Sequence, residues 1–340
     1  MISWMVFLLI TLATSLHATE LAEGEVVVDG VTVDNMKQAE QLIVNGSTVY
    51  LGPGEYARGI HIRSDNVILS GSRGTHFVDA AIEGKGAIIT SGKNTTIENI
   101  ECSKIQVSAG NGACIRHQGE NLTVSGVYFH DSEQGILEAP NKGKLLIKNS
   151  RFHRLGYNGR AHGVYTHGGA LIIENSRFTS MLSQGHAIKS RSAKTVVRDS
   201  VISTGKGRDS RLFDISNGGE FILENSILFQ SNYTVNSQVI GYGLEKLERT
   251  RVNSVKIENN LAIMEREQGN IFIGLPSEKD AHIPVEVNIA NNILIGKHFD
   301  LERWQKDNIY FESRQAAGLD NGRLPELPYL DQLREILSDR

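Results

Sequence analysis

The sequence predicts an all-β solenoid, a stack of short strands wound into successive coils. Three observations predict it. A pattern of alternating apolar and polar residues closed by Asn, Asp or Gly occurs nine times between Val67 and Asn291. Gly is abundant at 34 residues and Pro scarce at 6, the balance of a chain that turns often without breaking its strands. A repeat of about 25 residues cannot bury its own apolar face, so stability requires stacking.

The 340 residues suffice for one large domain with a full core, and the net charge of −4 excludes nucleic acid as an expected partner. Residues 1–18 read as a secretory signal peptide. The apolar run Trp4-Met5-Val6-Phe7-Leu8-Leu9-Ile10 is too short to span a bilayer, and small residues follow it up to Ala18. Cleavage there would leave no membrane span, and a periplasmic or secreted monomer is the expectation. Residues 19–300 form the solenoid and residues 301–340 a partly helical tail. Cys102 and Cys114 are either a local disulfide, which export permits, or two buried thiols in adjacent coils.

Following the chain, Asn35 to Ile43 reads as a short amphipathic helix with Asp34 as N-cap, placed to cover the open end of the stack. Thr48-Val49-Tyr50-Leu51 is a strand, and Gly52-Pro53-Gly54 turns it into the first coil. The repeats follow: Val67-Ile68-Leu69-Ser70-Gly71, Thr95 to Asn99, Leu122 to Gly126, Leu145 to Asn149, Leu171 to Asn175, Val196 to Asp199, Phe221 to Asn225, Val255 to Asn259 and Val287 to Asn291. Equivalent positions on stacked coils lie about 4.8 Å apart. Asn149, Asn175, Asn225, Asn259 and Asn291 are therefore expected to form an amide ladder. The pattern stops after residue 300. Leu324-Pro325-Glu326-Leu327-Pro328 breaks the tail, and Tyr329 to Leu337 reads as an amphipathic helix packed on the last coil or along the side.

This pattern, with its N-terminal helix and Pro53-Gly54-Glu55-Tyr56, resembles the right-handed parallel β-helix of the pectate-lyase-like superfamily over roughly residues 25 to 300. The resemblance implies the fold. It leaves the activity open, because that fold hosts lyases, epimerases, hydrolases and binding proteins.

Three coils carry the chemistry. Gly163-Val164-Tyr165-Thr166-His167, Ala187-Ile188-Lys189-Ser190-Arg191 and Leu212-Phe213-Asp214-Ile215-Ser216 occupy similar places in successive repeats. Val164, Ile188 and Phe213 are apolar and so point inward. Period-two alternation then turns Tyr165, Lys189 and Asp214 outward, with His167, Arg191 and Ser216 on the same face. His162, His186 and Arg211 fall in the turns entering these strands. Ile115-Arg116 and Leu137-Glu138 repeat the apolar-then-polar step, which places Arg116 and Glu138 in the Tyr165 column as an ion pair.

Imidazoles and a phenol beside Lys and Arg suit proton transfer and anion binding. Arg191 or Arg211 can pair with a uronate carboxylate and stabilise charge as a proton leaves. Neighbouring cations should lower the pKa of Lys189 and favour it as a neutral base, with Asp214 pulling the other way. Tyr165, His162 or His186 would protonate the leaving oxygen, while His167, Arg211, Asp214 and Asn217 bind substrate. No cofactor is expected. The alternative is a divalent metal near His162, His186 and Asp214, which the surrounding cations disfavour.

The segment Gly185 to Arg191, with Asp214-Ile215-Ser216-Asn217-Gly218-Gly219 and the His162-x-x-Tyr165 element, is similar to a group of exported bacterial β-helix proteins. Lys189-Ser190 also resembles an element of chondroitinase B and related alginate lyases. Those enzymes place an Arg on the next coil near Asp214, whereas Arg211 here stands three residues away. The expected function is an exported lyase cleaving an anionic, uronate-containing polysaccharide by β-elimination. The alternatives are a uronate epimerase and a non-catalytic glycan-binding or surface-assembly protein.

Overall fold

A computed structural model describes residues 21–276, 283–297, 300–319 and 322–327. The expected signal peptide and the expected helix from Tyr329 to Leu337 lie outside the described residues. Among the described residues no helix is long and apolar enough to cross a membrane.

The chain is a parallel β-helix of three sheets. All nine sequence repeats became strands of the first sheet, from Ile68–Gly71 to Glu286–Ala290, each pairing in parallel with the next coil. Their register follows the sequence alignment: Leu69, Ile97, Val124, Ile147, Ile173, Val197, Leu223, Ile257 and Ile289 form one inward column. The second sheet contributes its own column of Phe129, Phe152 and Phe178, in which Phe129 meets Phe152 edge-on and Phe152 stacks on Phe178 at 4.4 Å between ring centroids. The third sheet adds Ile88, Ile115, Ile136, Val164, Ile188, Phe213, Ile240 and Ile273. These three columns fill the interior as one continuous core.

The Asn residues that close the repeats have a different reason from the one expected. Asn149, Asn175, Asn225, Asn259 and Asn291 all adopt positive φ, between 43° and 60°. Asn and Asp tolerate this left-handed conformation better than other side chains, and it lets each coil turn the corner. One amide bond of the expected ladder forms, from Asn175 Nδ2 to Asn149 Oδ1 at 2.8 Å. The extended ladder lies one residue further on and points inward. The backbone N–H of Ser150 donates to Ser176 Oγ, and the series continues through Ser200, Ser226, Asn260 and Asn292 to Asn308. It satisfies corner amides that the sheets cannot reach.

Both ends are covered. At the start, Val26–Val28 pairs antiparallel with Thr48–Leu51 and so terminates the parallel edge. The helix Met36–Leu42 buries Met36 and Ala39. Its N-cap is Asn35, not Asp34: Asn35 Oδ1 accepts from the Gln38 amide, and Gln38 Oε1 accepts from the amide of Asp34, the residue before the cap. At the other end the coil runs past the expected boundary at residue 300, because Ile309–Phe311 adds in parallel to Ile293–Ile295. Ala317, Leu319, Leu324 and Leu327 then pack on Val201, Ile227, Leu261 and Ile263, on a second apolar cluster of the second sheet. The tail therefore runs back along the side of the stack.

Cys102 and Cys114 form a disulfide between a strand of the second sheet and one of the third, across 12 residues of sequence, with Cα atoms 5.9 Å apart. A bridge over such a loop is worth about 3 kcal/mol through loss of unfolded-chain entropy.

Candidate active site

The third sheet builds the site. Val164–Thr166, Ile188–Ser190 and Phe213–Ile215 pair in parallel, with Tyr165, Lys189 and Asp214 in register. Just before each strand, the chain lays His162, His186 and Arg211 over one another. The imidazoles stack at 5.0 Å between centroids. The backbone N–H of His186 donates to His162 Nδ1, and that of Arg211 donates to His186 Nδ1. Each ring therefore keeps its proton on Nε2, and His186 Nε2 lies 3.3 Å from Asp214 Oδ2.

Asp214 is 2% exposed, and Lys189 Nζ donates to the same Oδ2 at 2.9 Å. The ammonium thus sits on Asp214 where the alternative metal would have to bind. Lys189 and Arg191 both hold the carboxylate of Glu245, one cation on each oxygen. Arg191 Nε also donates to the Tyr165 phenol at 2.8 Å, and its Nη1 to Asn217 Oδ1 at 2.6 Å. On its other side the Tyr165 oxygen is 3.0 Å from His167 Nε2. One connected network thus joins His162, Tyr165, His167, His186, Lys189, Arg191, Asp214 and Asn217. Arg211 enters through its backbone, while its guanidinium Nε donates to Gln238 one coil further on.

Several expectations change on contact with this geometry. Burial works against the charge of Lys189, yet Asp214 and Glu245 outweigh it and raise its pKa. The lowered pKa expected from neighbouring cations is absent, and Lys189 is a paired ammonium. Burial, aided by Lys189 and Arg211, pushes His186 down to about 3. Burial, with His186 and Lys189 beside it, holds His162 well below the usual imidazole range. His167 is lowered by burial and by Arg191. All three are neutral rings at pH 7. Ser216 is buried and leaves the outer column, and Asn217 meets Arg191 instead.

Arg116 and Glu138 do not pair. The strand Gln134–Glu138 places Leu137, not Glu138, in the Tyr165 column. Glu138 is buried, and its carboxylate accepts from the amides of His167 and Gly168 and from Asn141 Nδ2. It shapes the loop that carries His167.

The sequence reading missed Glu245. It sits in a segment between Gln238–Tyr242 and Ser254–Glu258 that does not follow the repeat. Leu247 anchors this segment in the core, and the amides of Glu245, Lys246 and Glu248 donate to the carbonyls of Ser216 and Asn217. Arg251 Nη1 donates to the carbonyls of Arg191 and Ser192. A signal existed: Asn225 and Asn259 are 34 residues apart, against 26 for Asn149 and Asn175, so this coil carries an insertion.

No protein-family profile matches the chain, and neither does any curated protein. Among solved structures, it is similar to the crystal structure of pectate lyase Pel9A, at 15% identity and a TM-score of 0.46, over 75% of this chain and 72% of that one.

Proposed function

We propose that this protein is an exported lyase that cleaves a uronate-containing polysaccharide by β-elimination. The observation that carries the reading is Glu245. A carboxylate spans Lys189 and Arg191, so the pair forms a two-cation cradle with the geometry a uronate carboxyl group requires. The disulfide between Cys102 and Cys114 and the apolar N-terminal run support export.

In this reading the substrate carboxylate displaces that of Glu245. Lys189 and Arg191 then stabilise the negative charge that builds on the carboxylate as the neighbouring ring proton leaves. Lys189 acts as a cation, not as a base. The proton passes to the Tyr165 oxygen as the phenolic proton moves to His167, whose neutral ring accepts it. The electron pair forms the carbon–carbon double bond, and the glycosidic carbon–oxygen bond breaks. The departing oxygen takes a proton from the Tyr165–His167 pair, which returns to its starting state. His162 and His186 work from behind, holding Asp214 against Lys189, and Asn217 holds Arg191.

The test is a panel of uronic-acid polymers followed by ultraviolet absorbance. Unsaturated products establish the lyase. A changed uronate ratio without cleavage makes the protein an epimerase, and retention on immobilised polymer without either change makes it a binder. If Glu245 stands in for the substrate carboxylate, Glu245→Ala frees the cradle. It should lower KM about tenfold, since a competing internal ligand weakens apparent affinity by the fraction of time the site is closed. An unchanged KM in initial-rate measurements would show that Glu245 never competes.

A further inference from the structure

We propose that His76, Glu101 and His130, on the outer face of the second sheet, form a binding site for a first-row divalent metal ion, zinc by preference. The site is separate from the Lys189 network and does not depend on the function proposed for it.

The sheet register brings the three together. Thr75–Val78, Glu101–Ser103 and Tyr128–His130 pair in parallel, with Glu101 level with His76 and Tyr128, and Ser103 level with His130. Cys102 and Phe129 point inward, so Glu101, Ser103, Tyr128 and His130 face out. The His130 ring leans back over Tyr128, stacked at 4.3 Å, which carries its Nε2 to the level of Glu101. His130 Nε2 lies 2.9 Å from Glu101 Oε1, and His76 Nε2 lies 3.8 Å from the same oxygen. One donor atom from each of the three residues falls within 4.8 Å of the others. A tetrahedral zinc ion about 2.1 Å from each donor would set them about 3.4 Å apart, inside the range these side chains already span.

The outer contacts favour a metal. His130 Nδ1 is 2.9 Å from Asp131 Oδ2, and Arg154 Nε holds the other Asp131 oxygen at 2.6 Å. A carboxylate on the far nitrogen fixes the ring and its tautomer, the support that metal-binding histidines use. His130 Nε2 and His76 Nε2 both face the same Glu101 oxygen, so the three donors converge on one point. Ser103 Oγ, 2.9 Å from His76 Nε2, can hold a water on the ion. Two imidazoles and one carboxylate leave a fourth position open, and this donor set suits zinc better than calcium or magnesium. Glu55 and Lys104 are the further charged neighbours of His76, one of each sign.

The test uses the full chain, stripped with chelator and titrated calorimetrically with zinc ion alone. Cobalt(II) absorbance serves as a second readout of tetrahedral geometry. One equivalent should bind. His76→Gln and His130→Ala should each weaken binding at least tenfold, and Asp131→Asn, which leaves all three ligands in place, about 10- to 100-fold. Circular dichroism confirms that each variant is folded, and His76→Gln, at a partly exposed site, serves if His130→Ala is not. The proposal is overturned if the wild-type chain binds no zinc, or if His76→Gln and Asp131→Asn bind it as tightly as wild type.

Discussion

Lys189→Ala is expected to lower kcat on a uronate polymer by about 100- to 1,000-fold, the loss typical when a preorganised group that stabilises transition-state charge is removed. The same substitution strips Asp214 of the ammonium on its Oδ2, leaving a carboxylate that is 2% exposed with only His186 on that oxygen. Breaking a buried pair in this way costs about 3–5 kcal/mol, so activity and stability fall together. The double variant Lys189→Ala/Asp214→Asn separates them. It removes both charges, should recover most of the stability, and should remain inactive. A folded double variant with wild-type turnover would exclude Lys189 from the reaction.

The second large effect is acid sensitivity. Burial pushes His117 down to about 4 and His186 down to about 3, and holds His162 well below its ordinary value. An unfolded chain protonates these rings near pH 6.5, and the folded chain does not. The unfolded state therefore binds more protons below pH 6.5, and folded-state stability drops as pH falls from there towards 4. Asp209 opposes this. Burial raises it to about 6, so the folded state takes up a proton there that the unfolded state does not. The lowered histidines outnumber the one raised carboxylate, so stability is predicted to fall between pH 7 and pH 5. Urea denaturation at the two pH values measures it. His117→Gln should shrink the difference by about 2 kcal/mol. Equal stability at both pH values would mean that these rings are protonated in the folded protein.

The fold was legible because its main constraint is periodic. Each first-sheet repeat needs an inward apolar pair and a corner residue that tolerates positive φ, and both leave a mark at fixed spacing. The core of the site was legible for the same reason: Val164, Ile188 and Phe213 set the register that brings Tyr165, Lys189 and Asp214 together. The rest was not, for two physical reasons. In Ile136-Leu137-Glu138 either apolar residue could face inward, and a one-residue slip exchanges the faces. The pattern alone therefore sets Glu138 on the wall, whereas the fold buries it beneath. Glu245 lies in an insertion with no register to align, and its contact with Lys189 spans 56 residues of sequence. That omission decided the electrostatics. Without Glu245, the cations around Lys189 predict a lowered pKa; with it and Asp214, the pKa rises.

The cradle formed by Lys189 and Arg191 is tested most directly by comparing a uronate oligosaccharide with its methyl ester in calorimetric titrations of the wild-type protein. Esterification keeps the sugar and removes the charge that the two cations recognise. The free acid is predicted to bind at least tenfold more tightly, a difference of about 1.4 kcal/mol or more. Equal affinity for acid and ester would contradict the account.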